Sequence, residues 1–219
     1  MLTTTEENYL KALLHLSVAE LNPNGAGINQ LASKLDVRPA TVNNMVKKLK
    51  DKDLVEYEKY GKIQLTEHGR HLAVQVIRKH RLWETFLFTK LDFTWDEVHE
   101  VAEQLEHIRS QKLIDRMDEF LGFPEYDPHG DPIPKQDGAM PASKAIPLSD
   151  MPENVKCVFV AVNDTSTAFL QQLKRFNLEI GAELVVTERM PYDKSVWVKN
   201  KQGDGFQLSE KISANIFVV

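Results

Sequence analysis

Apolar residues recur at intervals of three and four along the first two thirds of the chain and alternate in short runs along the last third, so a helical part precedes a β part. In TEENYLKALLHLSVAEL, Tyr9, Leu10, Leu13, Leu14 and Leu16 form one stripe, and Thr3, Thr4 or Thr5 can cap the helix. NPNGAG ends it, because Pro23, Gly25 and Gly27 break the helical pattern. A short helix follows in INQLASKLDV, with Ile28, Leu31, Ala32 and Leu35 inward, then a turn at Val37 and Arg38, then a second helix in PATVNNMVKKLKDKDLV. Pro39 suits its first turn, where a missing N–H leaves no partner unsatisfied. Two short helices across a tight turn match a helix-turn-helix, and LVEYEKY, Gly61 and KIQLTEHG read as the two strands of a wing.

A long helix is predicted from near Arg70 through RHLAVQVIRKHRLWETFLFTKL. Thr94 then caps WDEVHEVAEQLEHIRSQKLIDRMDEFLG, which ends at Gly122 and can split near Ser110. These two adjacent amphipathic helices, with wide apolar faces, suit dimerisation. Residues 123–152 hold most of the prolines and read as a linker. Beyond them KCVFVAV, AELVVTERM, SVWVKN, GFQLS and NIFVV alternate around one helix at TAFLQQLKRF, which predicts a small barrel. The expected domains are 1–70, 71–140 and 141–219.

With 219 residues and 42% hydrophobic content the chain can bury a core. Its net charge of -5 is uneven, being +1 over residues 1–75, -6 over 76–140 and 0 over 141–219. The acidic excess coincides with a set of His and Glu residues, where a divalent cation would offset it; a solvated acidic helix face is the plainer alternative. The single Cys157, within VKCVFVAV, excludes an internal disulfide and reads as a buried strand residue in a reducing compartment. No signal core or membrane-length apolar run is present, so a cytoplasmic protein without a membrane partner is expected.

Major-groove readout needs hydrogen-bonding side chains at the start of a recognition helix, and Thr41, Asn43 and Asn44 stand there, with Pro39 and Ala40 just before them. Arg38, Lys47, Lys48, Lys50 and Lys62 supply charge for phosphates. Duplex DNA is therefore the expected partner. On a helix, Glu103, Glu106 and His107 share a face, His99 lies one turn before Glu103, and His80 with Glu84 are four apart on the preceding helix. If these helices pack antiparallel, they form a mixed oxygen and nitrogen donor set suited to manganese, ferrous iron, cobalt or zinc.

The motifs TEENYLKALLHL, RKHRLWETFL, VHEVAEQLEHI and PHGDPIP resemble the diphtheria toxin repressor family of iron- and manganese-dependent repressors, and the chain from IPLSDM onward resembles its appended SH3-like barrel. The resemblance implies a mainly α fold with a winged helix-turn-helix, a helical dimerisation domain and a small all-β SH3-like barrel. It implies a homodimer that binds operator DNA when loaded with Mn2+ or Fe2+, with Zn2+ or Co2+ as substitutes in vitro. Carried over by position, one metal site falls on Asn8, Glu103, Glu106 and His107, and a second on His80, Glu84 and His99. Glu7 is a substitute ligand, and Asp164 or Asn163 of the barrel can join the second site. Glu103 stands where iron-type members have cysteine, and Asn8 where the family has Met or Asp. Lys11 stands where manganese-type members have a carboxylate and would repel a nearby cation, which argues against a two-ion cluster at that turn.

Catalysis finds no support: the His99–Glu100 pair lacks the second histidine of a zinc-protease helix, since position 103 is Glu, and no nucleophile set or phosphate loop is present. The rival reading is a metal-independent winged-helix regulator that answers to a protein or an organic effector.

Overall fold

The computed structural model describes residues 2–19, 25–57, 61–142 and 144–219. The first half of the expected helix break NPNGAG, residues 22–24, and the tip of the wing at 58–60 lie outside the described residues. The chain divides into two compact units: Met1–His80 with Leu105–Ser110 and Pro134–Ala139, and Arg81–Gln104 with Gln111–Ile133 and Met140–Val219. Among the described residues no helix is long and apolar enough to cross a membrane.

The first unit opens with α1, Thr4–Ala19. Of the three candidate threonines, Thr3 is the cap: its Oγ1 accepts from Glu6 N at 3.3 Å while Glu6 Oε2 accepts from Thr3 N at 2.9 Å, a reciprocal box that satisfies two end donors. The other carboxylate oxygen of Glu6 meets Lys52 Nζ at 2.6 Å, just past the end of α3. Helices α2, Ile28–Lys34, and α3, Pro39–Asp51, form the helix-turn-helix, with Arg38 extended at the cap of α3 and Pro39 inside its first turn. Strands β1, Val55–Tyr57, and β2, Ile63–Leu65, pair antiparallel as the wing. Leu10, Leu13, Leu14, Leu31, Val42, Val46, Leu49 and Ile63 are buried together, so the apolar stripes of α1 to α3 meet in one core.

Helix α4, Glu67–Lys90, begins a turn earlier than the apolar pattern suggested, because Thr66 Oγ1 accepts from Gly69 N and caps it. The following helix is divided into α5, Val98–Leu105, and α6, Gln111–Phe120. The break falls at 106–110, ending at the expected Ser110, with Ile108 N closing a turn on Leu105 O.

In the second unit, Ile146–Pro147 (β3), Lys156–Val162 (β4), Glu183–Arg189 (β5), Val196–Asn200 (β6), Gly205–Leu208 (β7) and Ile216–Val218 (β8) make one antiparallel sheet in the order β3-β8-β4-β5-β6-β7. Register shifts at Phe159/Ala161 and Val186/Glu188 bend it, as bulges do. Phe159, Leu170, Leu173, Leu184, Val186, Val198 and Ile216 fill the core between the sheet and α7, Thr167–Arg175. Cys157 is buried there, and burial raises the pKa of its thiol, which keeps it inert as the strand reading expects. The short helix α8, Glu210–Ala214, precedes β8.

Candidate metal centre

Within the first unit, α1 presents Glu7, Asn8 and Lys11, the end of the unit's stretch of α4 presents His80, and the turn after α5 presents Glu106 and His107. Glu106 and His107 lie beyond the last helical residue of α5, so turn geometry as well as helical spacing places them. Glu106 is fully buried, and its Oε2 lies 2.6 Å from Lys11 Nζ and 2.6 Å from His80 Nδ1. Lys11 Nζ is also 3.1 Å from His80 Nδ1. The other oxygen, Glu106 Oε1, is buried without a hydrogen-bond partner, and so is Asn8 Oδ1. A buried carboxylate or amide oxygen left unsatisfied costs about 1–3 kcal/mol, which an ion would recover.

His107 completes this set. Its Nδ1 faces Glu7 Oε2 at 2.5 Å and its Nε2 lies 3.8 Å from Glu106 Oε1. A carboxylate on one ring nitrogen orients the ring and leaves the other nitrogen to coordinate, the usual support for a ligating imidazole. Glu7 is thus placed behind His107. Glu106 Oε1 and His107 Nε2, 3.8 Å apart, therefore fit a divalent cation by donor chemistry and by an orphaned oxygen, and the orphaned Asn8 Oδ1, next to Glu7 on α1, is the further oxygen donor of this unit. Lys79 is half-buried nearby; burial lowers its pKa, opposed by the charges of Glu7 and Glu106.

The second unit brings Glu84 of α4 together with Asp127 and His129, all three buried, with one ligand atom from each within 4.8 Å of the others. Glu84 Oε2 is 3.6 Å from His129 Nδ1, while Glu84 Oε1 meets His99 Nδ1 at 3.1 Å. His99 Nε2 in turn lies 3.7 Å from Glu103 Oε1, one helical turn on. Arg81 holds the 127–132 turn, with Nη1 on Pro132 O at 2.5 Å, Nη2 on Asp131 at 3.3 Å and Nε 3.7 Å from Asp127 Oδ2. Asp127 Oδ1 accepts from the backbone of His129 and Asp131, and its Oδ2 is buried without a hydrogen-bond partner. Burial, with the charges of Glu84 and Asp131, pushes the Asp127 pKa well up. Burial by itself would depress His129, but the hydrogen bond and charge of Glu84, the charge of Asp127 and the Trp95 carbonyl at 2.7 Å bring it to about 9.

Asp127 and His129 were absent from the expected ligands because their segment reads as a proline-rich linker. The structure instead buries both, along with Ile133. The available signal was an Asp and a His inside PEYDPHGDP, where Pro and Gly fix a tight turn rather than a loose tether. Gly130 shows how tight it is: φ is 83°, and an added Cβ would stand 2.0 Å from Val160 O and 2.6 Å from Ala161 Cα. Gly130→Ala is expected to cost on the order of 2 kcal/mol or more, from left-handed backbone and collision with strand backbone, read as a fall in Tm by calorimetry. Asp164 is not grouped with Glu84, Asp127 and His129, and its Oδ1 accepts from Ser166 N at 2.9 Å.

On the recognition helix, Arg38, Pro39, Ala40, Thr41, Asn44, Lys47 and Lys48 are exposed. Asn43 is half-buried and tied locally, with Nδ2 on Pro39 O at 3.1 Å and Oδ1 facing Tyr57 Oη of the wing at 3.4 Å. Lys50 Nζ donates to Tyr57 O at 2.8 Å. Asn44 and Thr41 therefore carry the accessible polar groups of the first turns.

A winged helix joined to buried carboxylate–imidazole clusters and a small β sheet defines a DNA-binding-type protein with metal-type centres. Models of the iron-dependent repressor N-terminal DNA binding domain, the iron-dependent repressor metal binding and dimerisation domain and the FeoA domain match residues 1–63, 66–135 and 146–219. The chain is 30% identical over 193 residues to the diphtheria toxin repressor of Corynebacterium glutamicum, covering 84% of this chain and 83% of that protein. A solved manganese-dependent transcriptional repressor in complex with manganese is 31% identical, with a TM-score of 0.87 over 98% of this chain and 99% of that one. The iron-dependent repressor IdeR of Mycobacterium tuberculosis is 35% identical over 133 residues, 61% of this chain but only 56% of IdeR, so the match spans little more than half of that relative. The chain belongs to the iron-dependent, or diphtheria toxin, repressor family of metal-dependent transcriptional repressors.

Proposed function

We propose that the protein is a homodimeric repressor that binds operator DNA when a divalent cation, Mn2+ or Fe2+, occupies its buried donor sets, with Zn2+ or Co2+ as substitutes in vitro. The observation that carries this reading is the orphaned oxygen Glu106 Oε1, 3.8 Å from His107 Nε2, in the unit that holds the recognition helix, where Asn8 Oδ1 is orphaned as well. Carboxylate and amide oxygens in place of thiolate favour the harder ions, which manganese and ferrous iron supply. His80, Glu84, His99 and Glu103, together with Asp127 and His129, supply the further donors. The three functional parts are taken as 1–70 for DNA, 71–140 for metal and dimerisation, and 141–219 for the barrel. Exposed Phe88, Leu91, Leu113, Phe120 and Phe123 offer the apolar face for a second copy.

Operator binding by anisotropy on chelator-treated protein, titrated separately with manganese, ferrous iron, cobalt and zinc, tests this. Binding restored by manganese or iron supports it; equal binding with and without chelator sinks it. That second outcome would favour regulation by an organic effector, for which an apolar cleft of about 510 Å³ lined by Tyr126, Phe159, Val160, Ile180 and Val219 offers a place. On the DNA side, Asn44→Ala is expected to cost about 1–3 kcal/mol and to relax specificity at one base pair. Lys47→Ala is expected to weaken all sequences alike and to reduce the salt slope of log K by about 1. Salt titrations on operator and random duplexes separate the two.

A further inference from the structure

We propose that the Lys11 ammonium is a resident cation of the donor set in the first unit: it holds the side of Glu106 that a second ion would take, so this set binds one divalent ion. The inference rests on the reading of Asn8, Glu106 and His107 as an ion site. The carboxylate of Glu106 is divided between two tasks. Its Oε2 receives Lys11 Nζ and His80 Nδ1, both at 2.6 Å, and its Oε1 has no hydrogen-bond partner. Lys11, His80 and Glu106 are each less than a tenth exposed. A buried carboxylate next to an imidazole is a pair of donors for a cation, and the ammonium already sits 2.6 Å and 3.1 Å from them.

Charge points the same way. Within this unit Glu7 and Glu106 are the carboxylates of the set, and half-buried Lys79 already feels both. One divalent ion and the Lys11 ammonium exceed their combined charge, and a second divalent ion would add two more positive charges. Even at the dielectric of water, an ammonium about 5 Å from a divalent ion weakens binding by a factor of about ten, and a buried setting increases that factor. The ammonium also gives Glu106 a counter-charge when the ion is absent, so the carboxylate need not be buried unpaired.

The experiment counts manganese per protomer by equilibrium dialysis with elemental analysis, and records Mn2+ electron paramagnetic resonance, on wild type, Lys11→Glu, Lys11→Met and Glu106→Gln. Lys11→Glu is expected to bind one more ion per protomer than wild type, with the six-line signal per bound ion weakened by exchange coupling. Lys11→Met, which removes the charge without adding an oxygen or nitrogen ligand, is expected to tighten manganese binding about tenfold or more. A coupled pair already present in wild type would overturn the proposal, as would an unchanged count in a folded Lys11→Glu protein. Should Lys11→Glu fail to fold, Lys11→Met decides: tighter binding supports the resident cation, and unchanged or weaker binding refutes it. Failure of the underlying site has its own signature, since Glu106→Gln would then bind as many ions as wild type.

Discussion

Replacing Glu106 by alanine is expected to abolish manganese-dependent operator binding and to destabilise the ion-free protein by about 3–5 kcal/mol, the usual cost of removing one partner of a buried ion pair. Two effects are superposed. The first is loss of a ligand: substitutions of groups that merely support ligands cost 10- to 100-fold in metal affinity, so removing Glu106 itself is expected to cost about 100-fold or more. The second is the stranding of Lys11, whose ammonium lies 2.6 Å from Glu106 with an almost fully buried side chain. The double variant Lys11→Met/Glu106→Gln separates them. With the cation gone, the melting temperature of the ion-free protein should recover most of what Glu106→Ala loses, while manganese affinity stays low. If the double variant recovers both, Glu106 acts through stability alone and the ligand assignment fails.

The second large effect is on pH. Manganese affinity at Glu84, Asp127 and His129 is expected to rise about tenfold per pH unit between pH 7 and about 9, then level off. His129 is held as an imidazolium with a pKa of about 9, and it must release that proton before its ring can coordinate. Below its pKa each bound ion therefore displaces a proton, and above it none. Asp127, whose pKa is also pushed up by burial, makes the dependence steeper at lower pH because its proton must leave as well. The sign for stability is opposite. A folded-state pKa raised above the ordinary 6.5 stabilises the ion-free protein fully below pH 6.5, and that contribution is lost as pH climbs through 9. Ion-free protein should thus lose thermal stability from pH 6.5 to 9, while the span between ion-free and manganese-loaded melting temperatures widens. Chelator competition in a Glu106→Gln background, which reports this cluster alone, measures the slope; a flat profile from pH 7 to 9 would remove His129 from the ligands.

The parts of the fold that were legible in sequence are those set by local rules. A threonine cap for the first helix, Pro39 at the head of the recognition helix and the apolar stripes that meet in the first core follow from local pattern, while the bonds of Glu6 select Thr3 among the three candidate threonines. The candidate site was legible only in part. Helical periodicity singled out Glu106 and His107, yet the chain leaves the helix at Leu105, and a turn brings them to Glu7 and Lys11, about a hundred residues away in sequence. Asn43 offered the right amide for base readout, but the same amide is partly used by Pro39 and Tyr57, a tertiary competition that a one-dimensional pattern does not contain. Asp127 and His129 escaped because proline content marks where a helix cannot go and says nothing of where a short turn can be buried.

The edge strand β3 is two residues long, and one of them is Pro147, which has no N–H to offer a further strand. Strand addition from another molecule is disfavoured along that border, so runaway sheet stacking is blunted there when the protein is concentrated. Growth into fibres is resisted where the ladder ends, and the association proposed for the helical apolar face would close after one step under two-fold symmetry.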